Sequence, residues 1–268
     1  MLFRSEEKYT LAIKAIAQII AKEGDEEYRR QEFDTAIEKY EKAISYYPEY
    51  VTAIFKLART YFKLRDYENS HKYLETGILI DPKQEQSEKM LGDIYRRADN
   101  IEQALAHYNQ AITINGNYYQ AYYSLGSLHL NEGKLSKARD AFKHAIIIEP
   151  TYGKAYGTLG VVEQELGDIT AAIHNYLKAL EFNTKAYDIY YRLSSAYNIN
   201  KQYSNAKISA KESLYIKRNY APAYFELGMA EKFLGNKIAA KDAFENAKKD
   251  RNWRKSAQFE LELLSKGL

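Results

Sequence analysis

YQAYYSLGSLHLNEGKLSKARDAFKHAIIIEPTY, residues Tyr119–Tyr152, decides the fold. Tyr122, Leu125, Gly126 and His129 recur at spacings of three and four, which puts them on one face of a helix. Asn131-Glu132-Gly133-Lys134 breaks that pattern, with Gly133 placed to end the helix. Ala138, Phe142, Ala145 and Ile146 mark the face of a second helix, which Pro150 stops. Each helix has one apolar side, so the pair cannot bury itself alone and needs copies of itself.

The copies are present at a period of thirty-four residues. Val51–Gln84 carries Leu57, Ala58, Tyr61, Leu74 and Pro82 at the matching places, and Glu85–Tyr118 carries Leu91, Gly92, Tyr95, Ala104, Tyr108 and Ala111. Gly153–Ala186 has Leu159, Gly160, Ala172, Tyr176 and Ala179. Tyr187–Tyr220 has Leu193, Ser194, Tyr197 and Ala206. Ala221–Arg254 has Leu227, Gly228, Ala240, Phe244 and Ala247, and the first copy, Ala17–Tyr50, has Gly24, Ala36, Tyr40, Ala43 and Pro48. The pattern resembles the tetratricopeptide repeat family: a large residue, then Leu-Gly, Tyr, Ala, an aromatic, Ala and Pro. Seven copies run in register over 17–50, 51–84, 85–118, 119–152, 153–186, 187–220 and 221–254. The resemblance implies an all-α fold of fifteen helices, a right-handed superhelical solenoid of helix–turn–helix repeats with a C-terminal capping helix over 255–268.

The small positions fall where two helices cross closely. The second copy puts Ser70 and Gly77 there, which still fit. The sixth copy has Ala210 where the others have a larger apolar residue and Arg218 where Pro is usual, so looser packing is expected there. His129, Glu163 and Glu27 stand in place of the first-helix Tyr.

Before the first copy, residues 1–16 form an N-terminal helical extension. Arg4, Glu6, Glu7 and Lys8 sit where the apolar core of a secretion signal would begin. Lys14 and Gln18 interrupt an apolar run too short to span a bilayer. Tyr9, Ile13, Ile16 and Ile20 make a stripe that Leu11, Ala12, Ala15 and Ile19 widen. Burial within the chain is the first expectation for this stripe, and self-association the second. At the other end Trp253, Ala257, Leu261 and Leu264 form one face of the expected cap.

Composition narrows the function. The chain has 268 residues, 39 Lys and Arg against 36 Asp and Glu, and a net charge of +3, far from the lopsided balance of a dedicated nucleic-acid binder. It has no cysteine, which excludes disulfides and thiolate chemistry. No phosphate loop, dinucleotide fingerprint or zinc-protease motif occurs, so no cofactor is expected. His71, His107, His129, His144 and His174 each sit in a different helix, with no spacing suited to a shared metal. A non-enzymatic interaction module is therefore expected.

In the resembled family the first helices line the concave surface, at positions 2, 5, 6, 9, 12 and 13 of each copy. Carried onto this chain, the protein-binding positions include Lys22 and Arg29 of the first copy, and Phe55, Lys56, Arg59, Phe62 and Lys63 of the second. The third supplies Lys89, Arg96 and Arg97; the later copies supply Tyr123, Tyr191, Arg192, Phe225 and Met229. Eight basic residues face only Asp25 and Asp93 over the first three copies, while the later copies are aromatic and aliphatic. A focused positive field attracts an acidic segment, and exposed rings and Met supply anchors. The expected partner is another protein or peptide segment, acidic with apolar anchors. Family members that clamp a chaperone's terminal carboxylate use Lys, Asn, Asn, Lys and Arg, in that order, at positions that here hold Ala21, Asp25, Lys56, Gln86 and Met90, and none matches. Nucleic acid is not an expected partner, since the side-chain pairs of one-base-per-repeat RNA readers are missing. The alternative is a structural protein that self-associates through its N-terminal helix within an envelope or motility assembly. A cytoplasmic location is expected, or a periplasmic or envelope-associated one if the chain is part of a longer protein.

Overall fold

The computed structural model describes residues 2–266, with side chains from Lys8 onward; Met1 and the last two positions of the expected cap lie outside the described residues. Among the described residues there are fifteen helices and no strand. The first helices of the seven copies are α1 (Leu2–Arg30), α3 (Val51–Lys63), α5 (Glu85–Arg97), α7 (Tyr119–Asn131), α9 (Gly153–Glu165), α11 (Tyr187–Ile199) and α13 (Ala221–Phe233). Their partners are α2 (Phe33–Tyr46), α4 (Tyr67–Ile80), α6 (Ile101–Ile114), α8 (Leu135–Ile148), α10 (Ile169–Phe182), α12 (Tyr203–Ile216) and α14 (Lys237–Ala247), followed by α15 (Arg254–Ser265). The chain divides into two compact units, one up to Leu128 and one from His129, each a stack of helix pairs.

The period is written in the backbone of the turns. Gln31, Arg65, Asp99, Gly133, Gly167, Lys201 and Gly235 all have positive φ, at intervals of thirty-four. The next residue's amide bonds back to the first helix's last turn, as in Asp66 N to Tyr61 O at 2.9 Å and Asn236 N to Glu231 O at 2.8 Å. This closure satisfies the orphan carbonyls of the helix end. Asp66, Asn100 and Asp168 then cap the second helices by accepting from the backbone amides of Asn69, Gln103 and Ala171.

Packing follows the small-and-aromatic pattern. Tyr40, Tyr108, Phe142, Tyr176 and Phe244 of the second helices are fully buried. A Cβ added at Gly92, Gly160 or Gly228 would stand 2.5, 2.6 and 2.5 Å from a ring carbon of Tyr108, Tyr176 and Phe244. The glycine lets the ring lie on the first helix. In the second copy Gly77 has ordinary space around it, and Ser70 is buried with no partner for its hydroxyl. In the sixth copy Ser194 stands at the glycine position and donates to the Ala206 carbonyl at 2.8 Å, with Ala210 fully buried beside it. Position 11 of the first helix reaches back to the preceding copy. Tyr95 bonds His71 at 3.0 Å, and Glu163 and Glu231, in place of Tyr, pair with Lys143 at 3.5 Å and Lys207 at 2.9 Å.

The N-terminal stripe departs from its first expectation. Ala17, Ile20 and Ala21 are buried in the cluster with Ala36, Tyr40 and Ala43 of α2. Tyr9, Leu11, Ile16 and Ile19 remain 70, 65, 42 and 59 % exposed. Ile19 stands at the position where the next copy has the buried Ala53, and burial within the chain does not cover these four. At the other end Ala257 is buried on Ala240, Phe244 and Ala247, with Leu261 and Leu264 packed beside them, so α15 covers the last pair.

Candidate protein-binding surface

In the first unit the first helices stand side by side, and their contacts define a face. Lys56 Nζ meets Asp25 Oδ2 at 2.6 Å across the first two copies. The Arg59 guanidinium lies 4.7 Å from the Tyr28 ring centre, and Arg97 lies 4.8 Å from that of Phe62. Arg97 Nε also donates to the Tyr67 hydroxyl at 3.0 Å. Stacking of this kind holds a guanidinium without neutralising it.

The two acids of this face are tied from below as well. The buried Tyr40 hydroxyl donates to Asp25 Oδ1 at 2.9 Å, and Tyr108 donates to Asp93 Oδ1 at 2.8 Å. Lys89 holds the other oxygen of Asp93 at 2.7 Å. Burial, together with the neighbouring carboxylate, pushes both phenols far above their ordinary range, so they remain donors. Lys56 and Lys89 are thus neutralised within the face. Lys22, Lys63 and Arg97 are exposed, and Arg59 and Arg96 are half-buried; among the described residues none of these five has an acidic side-chain partner. Arg29 is exposed and donates to the Asp25 carbonyl at 3.2 Å. Phe55 and Phe62 pack on the cluster of Ala58, Leu74 and Leu91 and present only part of their surface. Tyr123 is half-buried on α7.

In the second unit the rings are held by the chain itself. Phe225 packs against Phe244 at 5.5 Å and Trp253 at 5.0 Å, and Met229 joins the cluster beneath the terminal helix. Tyr191 meets Tyr220 edge-on at 5.6 Å. The Tyr176 hydroxyl donates to Gln164 Oε1 at 3.0 Å, and the Arg192 guanidinium lies 6.0 Å from the Tyr191 ring centre. Glu226 is buried, accepting from Asn198 Nδ2 at 2.8 Å, and burial holds its pKa above the usual carboxylate range. A cleft of about 690 Å³ opens between α9 and α11, around Gly157. Sequence reasoning by charge and aromatic content passed over it, because its signal is a missing side chain at position 5. The Asp–Tyr bonds were also passed over, although an Asp fifteen residues before the second-helix Tyr marks both.

Among the described residues no group of His, Cys, Asp or Glu is arranged to hold a metal, and no helix is long and apolar enough to cross a membrane.

Family models match most of the chain. One described as tetratricopeptide repeat matches 51–84, 119–152, 153–185, 187–220 and 221–249; one described as TPR repeat matches 24–64 and 92–133. No curated protein matches by sequence. Among solved structures, MamA aligns at 28 % identity over 63 % of this chain and 92 % of its own, with a TM-score of 0.53. YrrB, described as a TPR protein with an unusual peptide-binding site, aligns at 18 % over 69 % of this chain and 97 % of its own, TM-score 0.63. PilF of Pseudomonas aeruginosa aligns at 14 % over 78 % and 97 %, TM-score 0.69.

Proposed function

Because the chain belongs to the tetratricopeptide repeat family, we propose that it is a non-enzymatic scaffold that holds an acidic segment with apolar anchors on its first-helix face. The observation that carries this is the state of the cations in the first unit. Asp25 and Asp93 neutralise Lys56 and Lys89, yet Lys22, Arg59, Lys63, Arg96 and Arg97 are left without acidic side-chain partners on three neighbouring helices. Like charges gathered on one wall repel, and the fold does not require them; an acidic ligand relieves the repulsion. Tyr28 and Phe62 beneath the guanidiniums add apolar surface at the same place.

The test is a titration with a fluorescent peptide alternating Asp and Phe. Affinity should fall as salt rises, because exposed charges are screened over about 8 Å at physiological ionic strength. A Lys63→Glu, Arg97→Glu double variant should weaken binding by at least about tenfold, and Lys72→Glu, on α4, should not. Salt-independent binding that the double variant retains would move the site off this face.

A second reading rests on the exposed stripe of Tyr9, Leu11, Ile16 and Ile19. An apolar helix face left open at one end of a stack is suited to a second copy of the chain. Sedimentation should then show an oligomer that Ile16→Glu, Ile19→Glu dissociates while the helical signal is retained; a wild-type monomer at high concentration would dismiss it.

A further inference from the structure

The cleft around Gly157 opens at a position that carries a larger side chain in the neighbouring copies. Position 5 of the first helix carries Ala21, Phe55, Lys89, Tyr123, Tyr191 and Phe225 in the other copies. Only in the fifth copy is it glycine, and there the surface opens into a space of about 690 Å³, within the range of sites that take a ligand group.

Packing does not require this glycine. At Gly160 an added Cβ would strike two ring carbons of Tyr176, at 2.6 and 2.7 Å. At Gly157 the close neighbour is the Cδ1 of Ile189, at 2.9 Å, the far end of a flexible side chain; the next is Ala179 Cβ at 3.6 Å. A helix interior is a costly place for a glycine that packing does not need. What it does here is keep the cleft open.

The lining sets the occupant. Leu130, Val161 and Ile189 make an apolar wall, with Thr158 beside them. Lys154 and Arg192 border the same cleft against one acid, Asp188. Apolar walls with an excess of cations fit a large apolar side chain flanked by carboxylates. We propose that the Gly157 cleft is an anchor site for one aromatic or large aliphatic side chain of an acidic segment, with Lys154 and Arg192 meeting the flanking acids. This deepens the scaffold reading above and rests on it, but places the anchor in the second unit, away from Lys63 and Arg97.

Methyl NMR of the full chain tests it, with acetyl-Glu-Phe-Glu-amide as the probe. Millimolar peptide should shift the methyls of Leu130, Val161 and Ile189. Acetyl-Glu-Ala-Glu-amide should bind at least about tenfold more weakly. Gly157→Leu, which fills the cleft, should abolish the shifts. Lys154→Glu, an exposed change that leaves folding intact, should weaken the Glu-Phe-Glu peptide and favour acetyl-Lys-Phe-Lys-amide instead. Lys63→Glu, Arg97→Glu should leave all these shifts in place, which separates failure of the cleft from failure of the basic face. Absence of shifts at these methyls, indifference to Phe against Ala, or equal affinity in Lys154→Glu would overturn the proposal.

Discussion

Replacing Ala210 by Phe should destabilise the sixth copy, and replacing Ser194 by Gly in the same chain should remove that cost. At the equivalent glycine crossings, a Cβ on the first helix would come within 2.5–2.8 Å of the ring above it. Ser194 carries such a Cβ, and its Oγ is committed to the Ala206 carbonyl at 2.8 Å. A ring at position 210 therefore collides with a fully buried side chain. Overpacking of this kind costs about 1–3 kcal/mol, and the short approach argues for the upper end. Ser194→Gly alone loses one buried hydrogen bond, about 1 kcal/mol, and adds the helix penalty of glycine, about 0.5 kcal/mol relative to serine. With both changes the ring lies on a bare backbone, as Phe244 lies on Gly228. Burying it contributes about 1.5–3 kcal/mol, so the double variant should return to wild-type stability or exceed it. The coupling energy should reach at least about 2 kcal/mol in the stabilising sense. Urea unfolding followed by circular dichroism gives the global figure, and amide exchange in α11 and α12 localises it. Stability changes that add to within about 0.5 kcal/mol would refute the idea that these two positions share one space.

Lys201→Gly should stabilise the chain by about 0.5–1 kcal/mol, because a side chain at φ 58° is strained and glycine's entropy offsets only part of that; an unchanged urea midpoint would show the turn is unstrained. Burial raises the folded pKa of Glu226 above 4.5, so the unfolded chain ionises first and stability should fall as pH rises through that window. Glu226→Gln keeps an acceptor for Asn198 and should flatten this fall in a melting-temperature profile. His129 has the opposite sign: burial and then Lys137 and Lys134 lower its folded pKa below 6.5, so stability should drop as pH falls below 6.5, and His129→Gln should abolish that drop. Lys207→Met should cost about 1–3 kcal/mol by leaving the buried Glu231 with Asn236 as its hydrogen-bond partner and only the charge of Lys211 nearby, measured by urea unfolding; a neutral result would mean the carboxylate finds solvent.

Family and helical fold were legible in the sequence because they rest on local chemistry. The thirty-four-residue period, the turn residues and the alternation of small and aromatic positions are properties of neighbours along the chain, and each copy repeats them. Even the Asp25–Tyr40 and Asp93–Tyr108 bonds were available, as a spacing of fifteen within one copy. What the sequence did not settle depends on groups brought together from different copies. Lys56 counts as a free cation in a tally of charges, and only the fold shows that it meets Asp25 of the preceding copy, whereas the Lys89–Asp93 pair lies one turn apart on α5 and was open to the sequence. Phe225 and Met229 read as exposed side chains, and only the fold shows them partly buried, Phe225 against Trp253 and both against the cluster around Phe244 and Ala257. The stripe of α1 splits into a packed half and an open half because α2 covers one side only. The Gly157 cleft is a space rather than a residue, and its walls come from two first helices and the segments around them. Period and pattern follow from bonds within a copy; charge balance, exposure and cavities follow from what lies across the space between copies.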